Sequence, residues 1–311
     1  MPDKKKTTAP AQAKPYNSPE LDAIRQKIDE LDNRIHDTLM ERAELVLKVG
    51  EEKKKNNIQI VQPAREARMI RRLLGRHHGV LPQMAVVRIW RELVGAVSLL
   101  QTGLKAVVAV PDNQHEYWDL ARDYFGSCLP MQKSATSMTA VSALKDDKVT
   151  FAVVPRPQAE EEQPWWTFLT QGANSDRMQI VMALPYGEDP ANPNPDHRAL
   201  IVSKSGFDDS GQDNSFLLIQ CDPTISRARL IDTAKKAGLT ALNLSSKRGA
   251  SPVHLMEVQD YVVAADSRVE EFRKGLEDSG SSVLCVGGYP VPPSYARKVK
   301  SPEEEPIKAS A

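Results

Sequence analysis

The sequence predicts a multidomain chain of class α and α+β. It should hold an all-helical N-terminal segment of three helices, a small α/β middle region and a C-terminal unit of ferredoxin-like order, βαββαβ. Three observations predict this. From Leu21 onward, apolar residues recur at alternating spacings of three and four, the period of a helix that buries one stripe. Near Gly103 the period changes to short apolar runs such as KAVVAVP, which read as strands. Beyond residue 214, strand-length and helix-length segments follow one another in the order βαββαβ, two crossovers on a four-stranded sheet.

Each element has its local reasons. Residues 1–17 are polar and carry Pro2, Pro10 and Pro15, so a disordered tail without the apolar stretch of a secretory leader is expected. Ser18-Pro19-Glu20 opens the first helix: a capping hydroxyl, a proline in the first turn, then Glu20 and Asp22 on the positive end of the dipole. Nothing stops this helix before Asn56-Asn57, which makes it about 55 Å long at 1.5 Å per residue. That exceeds the width of a small domain. Part of its seam (Leu21, Ile24, Ile28, Leu31, Ile35, Leu45, Val49) is therefore expected to be covered by a second chain. A second helix starts near Ala64 and ends by His77-His78-Gly79. A third spans residues 82–101, with Met84, Val87, Trp90, Leu93, Val94 and Val97 inside. Together these make a helical domain at 18–103. The middle region, 104–205, has strand-like runs at 105–111, 149–155, 179–184 and 199–203, helices at 115–124 and 137–144, and loops at 158–163 and 187–196. A polar stretch at 206–214 reads as a linker, 215–290 as the βαββαβ domain, and 291–311 as a disordered tail.

Composition removes several function classes. Lysine plus arginine equals aspartate plus glutamate, 41 each, so no overall field favours nucleic acid or membrane. Aromatic residues are 5% of the chain, too few for a base-stacking platform. Cys128, Cys221 and Cys285 are scattered and odd in number, with neither disulfide nor metal spacing. Dispersed thiols suit the cytoplasm.

One residue disturbs the first helix. Continuing the seam from Ile35 leads to Thr38 and then Arg42, where an apolar side chain belongs. A buried guanidinium is costly unless an anion meets it. Either a protein carboxylate lies opposite, or its head reaches water along its stem, or the helix receives an anionic ligand. Other polar residues fall into register with it. Arg25 lies about five turns before it and Lys53 about three turns after it, on nearly one face. Arg65-Glu66 open the second helix and Gln101 ends the third. The set suggests a cationic pocket with one carboxylate and one amide.

The words that hold these residues are IRQKIDELDNRI, MERAEL with KVGEEK, PAREARMI and WRELVGAVSLLQ. In order and spacing, residues 21–101 resemble the all-helical chorismate mutase family. The resemblance implies an intertwined homodimer and a cofactor-free pericyclic rearrangement of chorismate to prephenate. It also implies roles. Arg42 would bind one substrate carboxylate, and Arg25 another across the dimer interface. Lys53 and Gln101 would donate to the breaking ether oxygen. Glu66 would hold the ring hydroxyl, and Arg65 would support the pocket. Two positions depart from the family pattern. Gln62 stands where an aspartate is common and Val97 where a serine is common, which implies a weaker grip on substrate.

The remainder resembles, more faintly, a prephenate dehydratase region followed by an ACT domain. Arg156, Pro157, Gln158 and Ala159 replace an Ile-Glu-Asn-Ser segment. His197, Arg198 and Ala199 stand where a catalytic threonine motif would fall, so dehydratase activity is expected to be lost. VGGYP at 286–290 fits the end of an ACT module. Its effector-binding words are replaced at 226–229 and by SSKRG at 245–249, leaving a fold kept for dimerisation with room for an amino-acid effector. Two other readings stay open: an isochorismate pyruvate lyase on the same helical fold, and a non-catalytic regulatory dimer. Cutting the chain after Gly103 is expected to change the rate little, provided the dimer survives.

Overall fold

Helix α1 occupies Pro19–Lys55 and begins as its sequence demands, with the Ser18 hydroxyl accepting from the amide of Leu21 at 3.2 Å. The computed structural model describes residues 18–56, 58–59, 61–171, 177–187, 197–247, 252–276 and 281–295. The expected tails at 1–17 and 296–311 and most of the loop at 187–196 lie outside these residues. The chain divides into two compact units, one up to Glu52 and one from Lys53 onward. The division falls inside α1 rather than at Gly103.

In the first unit the α1 seam faces solvent. Ile24 is 56% exposed, Ile28 50%, Leu31 52%, Ile35 57% and Leu45 55%. A stripe that the sequence marks as buried has no cover within this unit.

Among the described residues, the second unit is built on one mixed sheet of ten strands: β1 (Ala106–Ala109), β2 (Met131–Ser134), β3 (Phe151–Pro155), β4 (Glu160–Glu161), β5 (Gln179–Leu184), β6 (Ala199–Ser203), β7 (Asp213–Gln220), β8 (Ala241–Lys247), β9 (Val253–Gln259) and β10 (Ser282–Pro290). Their order across the sheet is β2-β1-β3-β6-β5-β10-β7-β9-β8-β4. The last four long strands, β10-β7-β9-β8, are antiparallel neighbours in the order of a ferredoxin-like unit. Helices α6 (Arg227–Lys236) and α7 (Ser267–Gly275) cover one of its faces, burying Leu230, Val269 and Phe272 against Leu217, Ile219, Met256 and Val258. The alternate residues of β7, Phe216 and Leu218, point the other way. There they join a core shared with α5 (Ser137–Lys145), Trp165 and Trp166. Helix α4 (Glu116–Phe125) packs on the opposite face of β1 and β3.

The middle region and the C-terminal unit are therefore joined where two domains were expected. β5 pairs parallel with β10 at Ile180 and Gly287. Gly287 has φ +93°, and a Cβ there would lie 2.2 Å from the carbonyl oxygen of Ile180. Only glycine allows that approach. At the far edge β4, from a stretch read as loop, pairs with β8.

Three more expectations need correction. β2 was not expected at all. The stretch 206–214 is not a loose linker: Ser210 and Asp213 are buried, and β7 begins inside it. Residues 291–295 are not a tail either, since Tyr295 is buried against Ile70 and Val87 and donates to the carbonyl of Tyr186 at 3.1 Å. The last two share a physical reason. Helix α2 (Pro63–Gly75) carries Arg71, whose guanidinium donates to the carbonyls of Ser210 (2.9 Å), Gln212 (2.8 Å) and Val291 (3.2 Å), fixing both segments to one helix.

Candidate active site

Helix α3 (Gln83–Thr102) and α2 supply the polar residues that sequence singled out in the second unit, together with the last turn of α1. Proline at the first position of α2 starts it in register, so Arg65 and Glu66 fall in its first turn. The amide of Glu66 donates to the carbonyl of Gln62 at 3.1 Å, the first bond of that helix. Gln62 is the half-buried capping residue of α2, and its side chain makes no capping bond. Arg65 is exposed and Glu66 partly buried. Lys53 is half-buried. Its pKa is lowered by burial first and by repulsion from Arg65 second, and is partly restored by Glu66. The structure thus brings Lys53, Arg65 and Glu66 into one electrostatic neighbourhood. Val97 is buried on α3. Gln101 lies in the last turn of α3, and its side chain is outside the described residues.

Arg25 and Arg42 belong to the first unit. Arg25 is on the exposed surface of α1, with Asp22 Oδ1 at 3.4 Å. Arg42 is half-buried, and loss of water lowers its pKa. Among the described residues of this chain no carboxylate pairs with it.

Sequence reasoning missed a buried ion pair in this neighbourhood. Arg91 on α3 is 3% exposed and donates to Glu66 Oε2 at 2.6 Å. Its Nε donates to the Tyr124 carbonyl at 2.8 Å. Its guanidinium carbon lies 3.7 Å from the centre of the Tyr124 ring and 5.5 Å from that of Tyr186. Burial opposes its charge, but Tyr124 and Glu66 outweigh that and hold its pKa above the usual value. Burial raises the hydroxyls beside it: Tyr186 is pushed up to about 12, and Tyr124 is raised further. The signal available in sequence was Gly95, one turn after Arg91. A glycine inside a helical pattern costs stability relative to alanine and so points to a packing reason, here the Phe125 carbonyl oxygen 1.9 Å from where a Cβ on Gly95 would lie.

The positions that sequence assigned to a lost dehydratase and an altered effector site are engaged internally. Arg156, at the end of β3, pairs with Glu257 on β9, which also accepts from the Tyr289 hydroxyl. His197 sits 3.9 Å from a Glu116 carboxylate oxygen. Arg227 donates to Ser246 Oγ, to the Leu244 carbonyl and to the Ala159 carbonyl. Arg248 and Gly249 of the SSKRG word lie outside the described residues. Among the described residues no cluster of His, Cys, Asp and Glu could hold a metal ion, and no helix is long and apolar enough to cross a membrane.

Comparison with known proteins bears on the same segment. Residues 24–102 match the family Chorismate mutase type II. A bifunctional chorismate mutase/prephenate dehydratase of Aquifex aeolicus (strain VF5) is 30% identical over 140 residues, covering 44% of this chain and 38% of that protein. A protein of the same description from Stutzerimonas stutzeri is 26% identical over 147 residues, covering 46% and 40%. The matches thus span about two fifths of the length of these relatives. Among solved structures, prephenate dehydratase from Streptococcus mutans aligns with 62% of this chain and 100% of its own, at 13% identity and a TM-score of 0.41. The family match and the cluster of Lys53, Arg65 and Glu66 coincide, and the helical segment at 24–102 is a chorismate mutase type II domain.

Proposed function

We propose that this chain is a chorismate mutase, an isomerase of aromatic amino acid synthesis that converts chorismate to prephenate without a cofactor. One observation carries the reading. The segment matching the mutase family contains every member of the polar constellation, and Lys53, Arg65 and Glu66 lie within electrostatic reach of one another in it.

The reaction is an internal bond exchange, with no nucleophile and no proton transfer. Catalysis then consists of gripping a dicarboxylate in its compact conformer and stabilising charge on the ether oxygen as its bond breaks. Arg42 and, from a second copy, Arg25 bind the carboxylates. Lys53 and Gln101 donate to the ether oxygen, where negative charge grows, so their bonds strengthen in the transition state. Glu66 holds the ring hydroxyl, and Arg65 adds positive potential. Gln62 replaces a charged partner of the hydroxyl, and Val97 contributes no hydroxyl of its own; both weaken ground-state binding. An acceleration at the low end of the enzymatic range asks about 8 kcal/mol of this arrangement.

The exposed seam of α1 supports a homodimer, because isolated aliphatic stripes of this length are covered in stable assemblies. The engagement of Arg156 with Glu257 supports loss of the dehydratase, and that of Arg227 with Ser246 supports a C-terminal unit kept for structure.

The test is the loss of chorismate absorbance with purified protein, with prephenate and phenylpyruvate assayed among the products. Prephenate without phenylpyruvate is expected, and Arg42→Ala should abolish turnover in a folded protein. Phenylpyruvate at neutral pH above background would restore the dehydratase. Unchanged chorismate would remove the mutase reading.

A further inference from the structure

Four residues on one face of α3 meet the end of α4. Arg88 donates to Asp123 Oδ2 at 2.8 Å, and Arg91 donates to the Tyr124 carbonyl at 2.8 Å. The Glu92 carboxylate accepts from the amide of Ser127 at 2.9 Å and from its hydroxyl. A Cβ on Gly95 would lie 1.9 Å from the Phe125 carbonyl oxygen. The spacing 88, 91, 92, 95 is a single helical stripe. It is polar where the α3 core stripe is apolar, and it is directed at residues beyond the segment matched to the mutase family.

We propose that Arg91 is a positioning residue of the mutase site: it fixes the Glu66 carboxylate and is itself fixed by Tyr124, so the helix after the mutase domain sets the geometry of the substrate pocket. The inference rests on the mutase reading of Glu66. Its physical basis is the fork of the guanidinium. One nitrogen is spent on Glu66 Oε2, another on a backbone carbonyl that cannot rotate away, and the plane lies over the Tyr124 ring. Glu66 has one oxygen so held and a side chain 20% exposed, so it remains able to receive a hydroxyl. A carboxylate left to its own rotamers would spread over several positions, and misplacement by about 1 Å costs on the order of 100-fold in rate. The expectation that the chain can be cut after Gly103 without consequence does not fit this arrangement, because Tyr124 would go with the cut.

The experiment is a double-mutant cycle in the full-length protein, with kcat and KM for chorismate measured separately and folding followed by circular dichroism. Arg91→Met in the native background is expected to lower kcat/KM by about 30-fold, with a raised KM, because a hydroxyl contact made in both ground and transition states is loosened. In a Glu66→Gln background the same change should cost less than about 3-fold. Tyr124→Leu keeps the carbonyl and both charged partners but removes the ring. It should reproduce the pattern at smaller size, about 3- to 10-fold, and it decides the matter if Arg91→Met does not fold. Equal losses in the two backgrounds, or a fall in kcat with KM unchanged, would mean that Arg91 only stabilises the fold and would overturn the proposal. Full activity in both single variants would overturn it as well. Native protein that leaves chorismate untouched would remove the mutase reading itself, and this inference with it.

Discussion

In the proposed homodimer, replacing Ile28 with aspartate in the middle of the α1 seam should release the monomer. In the single chain Ile28 is 50% exposed, and its neighbours one turn away, Ile24 and Leu31, are 56% and 52% exposed. Full burial of such a side chain returns about 2 kcal/mol, so covering the exposed half of Ile28 returns about 1 kcal/mol per copy. Aspartate forfeits that and adds the cost of pressing a carboxylate against apolar neighbours, several kcal/mol for each copy. With both copies altered, the dimer should lose on the order of 5 kcal/mol or more, which is over 1,000-fold in its dissociation constant. Sedimentation velocity across a concentration series reads the state directly. The helix itself should survive, since position 28 is solvent-facing within the chain and aspartate lowers helix propensity by well under 1 kcal/mol. Turnover should fall with the dimer, because Arg25 serves the other copy's pocket in the proposed mechanism. Ile28→Asp protein that sediments as the native species does would refute the assignment of this seam to an interface. A monomer with full turnover would leave the interface standing and refute the role of Arg25.

Three further outcomes follow from the second unit. Arg156→Met strands Glu257, which is 2% exposed, beside the Tyr289 hydroxyl alone; urea unfolding should show a loss of about 3 kcal/mol, at the low end for a broken buried pair because Arg156 is partly in water, and a loss under about 1 kcal/mol would contradict it. His254 is held below its usual pKa of 6.5 by burial and then by Arg227, so the unfolded chain takes up a proton that the folded chain refuses. Its contribution to stability is therefore complete above that pH and is lost as pH falls through it toward the folded value; unfolding curves between about pH 7.5 and 5.5 should flatten in His254→Asn, and identical slopes in both proteins would be the contrary result. Burial, then Asp266, pushes the Cys285 thiol up to about 11 and Cys221 is buried, whereas Cys128 is exposed; at pH 8 a disulfide reagent should label Cys128 quickly and the other two slowly, and a burst of three thiols would disprove it.

The parts of this fold that were legible in sequence are those whose periodicity burial enforces. α1 was readable to within a residue or two because Ser18-Pro19 opens it and Asn56 follows its end. The βαββαβ order was readable because β7 and β9 alternate cleanly between two cores. β2 and β4 were not. Both are edge strands with polar side chains on an exposed rim, Gln132 and Lys133 in β2 and Glu160 in β4, so no apolar period marks them. The joining of two expected domains into one sheet was equally hidden. It depends on a single parallel pairing at Gly287, where the informative feature is the absence of a side chain. In the candidate site, Lys53, Arg65 and Glu66 were found through spacing on helices, a local property. Arg91 escaped because its partners lie on other elements: Glu66 on α2, and Tyr124 on a helix beyond the family segment.

The pairing at Gly287 also sets a schedule for synthesis. β5, every residue of which after Gln179 is buried in the finished protein, has one edge closed by β6 soon after it is made, while the other waits for β10. That strand is translated about a hundred residues later, so at roughly 5–20 residues per second the open edge persists for about 5–20 s on each ribosome. An apolar strand edge exposed for that long invites pairing with a neighbouring nascent chain. Production of this protein should therefore depend on holdase chaperones and on low expression rate more steeply than its finished sheet, with β5 paired on both sides, would suggest.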